Sequence, residues 1–255
     1  MAVLKNRTGE ISYNRFGTQM IIVEYAGADD ITIEFQDTYK YKTKVQYQKF
    51  IEGSVRNPYD KSVYGVGYFD VGSYTSISKE RMSFEYMQWS NMLQRCYDKN
   101  YQRNFQSYVG CSVVEEWHSF QNFAKWCTEN YYQADNKRME LDKDILIKGN
   151  KIYSPETCVF VPGEINRLLI NKKSVRGEYP VGVHLHKKNQ NFISRYSMGE
   201  GRIFHIGSYN TPEEAFKAYK LFKEDLIKQR AEQYKEFIPY KLYNALINYQ
   251  VNITD

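Results

Sequence analysis

Two aspartates, Asp142 and Asp144, stand at the end of the alternating stretch M-E-L-D-K-D-I-L-I, with Lys143 between them. An asparagine, Asn166, lies on G-E-I-N-R-L-L, directly after the apolar run C-V-F-V. In order, Met139 to Leu169 reads as strand, loop, strand and short helix. Carboxylate and amide oxygens on such a unit are hard ligands, suited to holding one divalent cation against a phosphodiester.

A second group of residues is chemically active through charge. Between Pro162 and Tyr209 there are eight Lys/Arg and three acidic residues, a local excess that equals the net charge of +5 carried by the whole chain. A positive segment of this kind is the footprint expected of phosphate contacts, and a solvated face is its plainer reading. Near the start, Y-K-Y-K-T-K-V puts Lys40, Lys42 and Lys44 on one face of a strand, since strand side chains repeat every second residue. Such a comb either follows a phosphate backbone or protects a sheet edge from aggregation. Tyr39, Tyr41 and Val45 then face the core. The 24 Tyr and 14 Phe interleaved with basic residues suit nucleic acid, though most belong to cores.

Length and composition bound what can position these groups. A chain of 255 residues forms one large domain or two to three small ones. The mean hydropathy of −0.67 and the lack of any run of about 18 apolar residues exclude a membrane-spanning reading. The N-terminus lacks the apolar core of a secretory signal. Cys96, Cys111, Cys127 and Cys158 are widely separated with no C-x-x-C pair, so buried thiols are expected rather than a zinc knuckle or a disulfide framework.

Along the chain, T-Q-M-I-I-V-E-Y, then I-T-I-E-F-Q with Ile31, Ile33 and Phe35 on one face, then the lysine strand, build a small β module. Y-Q-K-F-I-E-G is a short helix stopped by Gly53, and the Gly-, Ser- and Tyr-rich stretch after Asn57-Pro58 reads as a linker. F-E-Y-M-Q-W-S-N-M-L-Q-R-C-Y is a helix. V-V-E-E-W-H-S-F-Q-N-F-A-K-W-C is another, with Trp117, Phe120, Ala124 and Cys127 as its buried stripe. His118 lies one residue off that stripe, an ordinary half-exposed histidine on the plain reading. Further on, Y-P-V-G-V-H-L-H, N-F-I-S-R-Y-S and G-R-I-F-H-I-G-S-Y read as three strands before a well-marked helix. Thr211 caps that helix, Pro212 takes its first position and Glu214 completes a capping box. Its expected buried face is Ala215, Ala218, Tyr219, Phe222 and Leu226. Pro239 opens a last helix that packs through Leu242, Leu246 and Tyr249.

The central stretch resembles the ββα-metal fold of HNH endonucleases, and more narrowly phage- and prophage-borne HNH proteins of the homing type. The likeness rests on Leu141-Asp142-Lys143, on Tyr153-Ser154-Pro155-Glu156-Thr157-Cys158 and on Asn166. Upstream, Trp117, Phe120 and Phe123 match the preceding helix, and the whole covers roughly 83–173. The resemblance implies Asp142 and Asn166 as ligands of Mg²⁺ or Mn²⁺, with no zinc expected. It also implies a general-base histidine at the position that Lys143 holds here. A free lysine titrates about three pH units above neutrality, and making it a base would require on the order of 4 kcal/mol of differential stabilisation. Neighbouring carboxylates act in the opposite sense. Three readings stay open: Lys143 as a phosphate clamp on a fold that no longer cuts, His118 as a base brought in from the preceding helix, or metal-bound water acting unaided.

The basic segment, with G-V, then G-S-Y-N-T-P-E-E-A-F-K-A-Y, resembles the DNA-binding domain of plant ethylene-response factors. That resemblance implies a three-stranded sheet in the major groove. His184, His186, Arg195, Ser197 and His205 would face outward to bases and phosphates, and Lys187, Lys188 and Arg202 would reach phosphate. Histidines stand where the family carries arginine and tryptophan, and no Cys or carboxylate on these strands completes a zinc site.

The expected fold is therefore α+β and multidomain. It comprises a small β-rich module at 1–62, a linker at 63–78, an HNH-like ββα domain with flanking helices at 79–173, a sheet-plus-helix DNA-binding domain at 174–236 and a helical tail at 237–255. The expected function is a phage-type DNA-binding protein resembling an HNH homing endonuclease, with double-stranded DNA as partner. The alternative is a catalytically degenerate scaffold acting as a DNA-binding regulator or as an inhibitor of a host defence system, with a host protein as second partner. A single-strand or RNA binder using tyrosines and lysines is the third reading. The expected location is the cytoplasm of a bacterial host.

Overall fold

The computed structural model describes residues 6–169, 178–199 and 201–255. Lys172, Lys173 and Arg176 of the basic segment, and the expected boundary at 173/174, lie outside the described residues. The architecture is α+β, with helices and several separate sheets. The chain divides into two compact units, Met1–Glu129 with Lys151–Ser154, and Asn130–Asn150 with Pro155–Asp255.

The first unit opens on an antiparallel meander of β1 (Ile11–Tyr13), β2 (Gln19–Gly27), β3 (Asp30–Phe35) and β4 (Lys42–Val45). Alternation on β3 sends Ile31, Ile33 and Phe35 inward, fully buried with Met20, Ile22 and Phe50. Helix α1 (Tyr47–Ile51) ends at Gly53, whose φ of +63° suits glycine; a Cβ there would also lie 2.5 Å from the Tyr13 carbonyl oxygen. The lysine strand is shorter than its sequence suggests. Lys40 sits at φ +52° in the preceding turn, and Tyr39 is 53% exposed rather than in the core.

The stretch 63–78 differs from the linker its composition suggests. Tyr68 bridges to Ser119, and the Phe69 ring lies 5.6 Å from Tyr86 and 6.1 Å from both Trp89 and Phe120. A Cβ on Gly67 would come 2.5 Å from Leu93 Cδ1. Small residues here let the chain press against aromatic side chains, and the same residues read as flexibility when the partners are unseen. The short strands β5 (Ile77–Ser78) and β6 (Arg81–Met82) pair and lead into α2 (Phe84–Tyr97), capped by Ser83. Helix α3 (Lys99–Asn104), β7 (Ser112–Val113) and a 3-10 turn at Glu115–His118 precede α4 (Phe120–Asn130). The expected stripe Trp117, Phe120, Ala124 and Cys127 is buried, although only its last three members lie on α4.

In the second unit, β8 (Met139–Asp142) pairs antiparallel with β10 (Val159–Pro162), and α5 (Gly163–Leu169) follows directly. Between them the chain contributes β9 (Ile152–Tyr153), which pairs in parallel with β7 inside the first unit. Then β11 (Val183–His186), β12 (Asn191–Gly199) and β13 (Arg202–Tyr209) form an antiparallel sheet in that order. Helix α6 (Pro212–Tyr234) carries the expected capping box and packs on this sheet, and α7 (Tyr240–Ile247) buries Leu242 and Leu246. The buried line of α6 runs through Ala215, Phe216, Tyr219, Lys223 and Ile227; Ala218, Phe222 and Leu226 are half-buried at its margin. Lys223 is an unexpected member of that line. Its amine lies 4.8 Å from the Tyr196 ring centre, and burial drives its pKa down to about 8. All four cysteines are buried. Among the described residues, no helix is long and apolar enough to cross a membrane.

Beneath α6, the Ser194 hydroxyl is fully buried with no hydrogen-bond partner among the described residues. An unsatisfied buried polar group costs roughly 1–3 kcal/mol. Ser194→Ala is therefore expected to leave the thermal midpoint unchanged or raise it, and a clear drop in a melting scan would contradict that account.

Candidate nucleic-acid interface and carboxylate site

Alternation on β8 places Met139 and Leu141 in the core and leaves Glu140 and Asp142 half-buried on the opposite face. Asp142 Oδ1 accepts the backbone N–H groups of Asp144 and Ile145, each at 2.8 Å, so this carboxylate organises the turn after the strand. Burial, together with the neighbouring Asp144 charge, raises its pKa to about 7, although these two N–H groups pull the other way. Asn166 on α5 donates from Nδ2 to Glu140 Oε2 at 2.8 Å. Glu140 is one same-face step along the strand from Asp142, about 7 Å. Helix and strand thus share one face, but Asn166 is tied to Glu140, a partner the sequence motif did not single out.

Lys143 faces away from solvent. It is 7% exposed, its amine lies 3.4 Å from Asp144 Oδ2, and its carbonyl accepts from Asn150. Buried with Leu141 and Ile145, it is placed as a local counter-charge, which argues against the phosphate-clamp expectation. The C-terminal segment borders the same turn. Lys148 donates to the Gln250 carbonyl at 2.8 Å and also pairs with Asp255. Tyr249 is held above the ordinary tyrosine pKa first by burial and then by the charges of Asp255, Asp144 and Asp142.

In donor type this set fits Mg²⁺ or Mn²⁺, with one carboxylate and one amide leaving most of the coordination sphere to water and phosphate. Among the described residues no three His, Cys, Asp or Glu side chains converge as a metal-holding group. His118 is half-buried in the first unit, where Nε2 lies 3.4 Å from the Tyr97 hydroxyl; burial is the main cause of its lowered pKa, with Lys61 adding to it.

The sheet β11–β13 presents a different surface. Its inner side carries Val183, Phe192, Tyr196 and Tyr209 toward α6. Its outer side follows from register: His184 aligns with Ile193 and Ser208, His186 with Asn191, Arg195 with His205, and Ser197 with Ile203. A bulge after Ser194 shifts β13 by one residue and brings His205 beside Arg195. All five outward positions expected from the sequence, His184, His186, Arg195, Ser197 and His205, therefore share one face. Lys187 and Lys188 are exposed in the hairpin turn, and Arg202 is exposed at the start of β13. None of the three strands contains an acidic residue. Burial, then the charge of Arg195, holds the His184 pKa below the ordinary histidine value. Ile193 and Ile203, the apolar members of this face, were not singled out in the sequence, although plain alternation along the strands would have placed them there.

The N-terminal lysines are electrostatically opposed. Lys42 lies 3.3 Å from Glu34, and Lys44 lies 3.2 Å from Asp30, across the neighbouring strand. Lys40 bonds Gln36 from its turn. The comb is thus two strand lysines, each beside a carboxylate.

Comparison of the chain with protein-family models, with curated proteins and with solved structures gave no match.

Proposed function

We propose that this chain binds duplex DNA through the outer face of β11–β13, with β8, β10 and α5 serving as an HNH-like ββα scaffold that supports binding rather than cutting. The observation that carries the reading is a sheet face bearing Arg195 and three histidines, bordered by Lys187, Lys188 and Arg202, on strands without a carboxylate. Such a face is complementary to phosphate and offers donors to base edges. In this reading the protein acts as a DNA-binding regulator or as an inhibitor of a host defence system. The test is fluorescence anisotropy with a labelled duplex, competed by single-stranded DNA and by RNA. Preference for either competitor would move the function to the single-strand class.

Metal-dependent cleavage is the second reading, favoured by the Asp142 carboxylate, whose charge is disfavoured by burial and by Asp144. Asp142 and Asn166 would hold the cation, which when bound polarises a phosphoryl oxygen and acidifies water. Lys143, buried against Asp144, is poorly placed to receive a proton from that water. Plasmid nicking in Mg²⁺ or Mn²⁺, lost in Asp142→Ala, would establish this reading in place of the first.

DNA binding is expected to tighten as pH falls from 7.5 to 5.5. The charged form of a histidine is favoured beside phosphate and is populated only below its pKa. Because His184 is held low, its share of the gain comes late in that window. His184→Gln should flatten the acid end of an anisotropy titration; an identical pH profile would remove His184 from the interface.

A further inference from the structure

The outer face of β11–β13 is not uniformly polar. Ile193 sits between His184 and Ser208, and Ile203, 55% exposed, sits opposite Ser197. Neither side chain can contact phosphate favourably, and both interrupt a face otherwise made of donors and acceptors. Within a face that lies against DNA, an outward isoleucine beside cations gains from an apolar partner on the ligand. In the major groove, that partner is the 5-methyl group of thymine.

We infer that Ile193 and Ile203 are specificity-determining residues that read thymine methyl groups, so the duplex preferred by this sheet is rich in A·T pairs. The inference rests on the DNA-binding reading and adds base selection to it. Lys187 and Lys188, in the turn beside the face, set affinity for the backbone and do not distinguish sequences. The isoleucines supply discrimination without hydrogen bonds. The bulge after Ser194 keeps His205 level with Arg195, so the two isoleucines are diagonal to each other across a polar pair. That spacing engages methyl groups on separate base steps.

The experiment compares one duplex containing dA·dT pairs with the same duplex in which every thymine is replaced by deoxyuridine, which removes the methyl and keeps every hydrogen-bonding group. Burying one methyl group corresponds to about a fourfold change in affinity. The full chain is expected to bind the thymine duplex at least fourfold more tightly. Ile203→Ser, at a side chain more than half exposed, should lower that ratio with the fold intact, and Ile193→Ser with Ile203→Ser should bring it close to one. Equal affinity of the wild type for the two duplexes overturns the inference while leaving DNA binding in place, as does a ratio that survives the double substitution. Absence of binding to either duplex overturns the DNA-binding reading itself, and this inference with it.

Discussion

Replacing Lys187, Lys188 and Arg195 together with alanine is expected to weaken duplex binding by a hundredfold or more at 0.1 M salt. Each phosphate neutralised by a cation releases condensed counterions and contributes about −0.9 to the slope of log K against log salt, close to a decade of affinity at that concentration. Removing three such cations should therefore flatten the slope by about 2.7. Lys187 and Lys188 are exposed in the turn between β11 and β12, and Arg195 projects from the outer face of β12, so the triple variant should retain its fold. The matched control is Lys42→Ala with Lys44→Ala, which changes two exposed lysines in the N-terminal module. Because each already lies beside Glu34 or Asp30, that pair should leave affinity and slope near the wild-type values. Anisotropy titrations across a salt series separate the two outcomes. An unchanged slope in the triple variant would falsify the assignment of this sheet as the contact surface, and a flattened slope in the lysine control would move the surface to the first unit.

The contrast between these two basic groups shows where sequence was legible and where it stopped. Strand periodicity is a local property, so the outward set on β11–β13 and the buried set Ile31, Ile33 and Phe35 follow directly from residue spacing. The capping box of α6 is equally local, contained within the four residues Thr211 to Glu214. Partners across strands are not. Glu34 and Asp30 neutralise the lysine comb through a pairing register that alternation does not reveal, and a turn at Lys40 removes the third tooth of that comb. The carboxylate unit shows the same limit. Its strand, strand and helix can be read from residue type, whereas the Asn166–Glu140 bond and the inward direction of Lys143 depend on how helix and strand meet. The stretch at 63–78 misleads for another reason: Gly and Ser signal both a free linker and a chain pressed against rings, and Phe69 beside Trp89 decides it. Lys223 in the buried line of α6 departs from a simple apolar pattern because the Tyr196 ring below it receives the charge.

Asp142→Asn is expected to stabilise the second unit at pH 8. The folded carboxyl titrates at about 7, well above the ordinary aspartate value near 4, because burial and Asp144 disfavour its charge. The folded chain thus binds this proton more tightly than the unfolded chain does. Stability from the group is complete below about pH 4 and is lost as pH rises through about 7. Asparagine keeps the Oδ1 acceptor that receives the Asp144 and Ile145 N–H groups, and it removes only the charge. With allowance for partial exposure and solvent screening, the gain at pH 8 is on the order of 1–2 kcal/mol. In a protein of this size that corresponds to a rise of several degrees in the melting midpoint. The pH dependence between 4 and 7 should flatten in parallel, and a lower midpoint at pH 8 would contradict the account. Adding Mn²⁺ at pH 8 separates the two functional readings. If Asp142 holds a cation, Mn²⁺ raises the wild-type midpoint in proportion to the logarithm of its excess over the dissociation constant, and Asp142→Asn loses that response. If the unit is a scaffold, the substitution alone stabilises it and Mn²⁺ leaves both proteins unchanged. A carboxylate that is costly when charged is a liability in a scaffold and an asset in a metal site, and this pair of melting curves tells which it is.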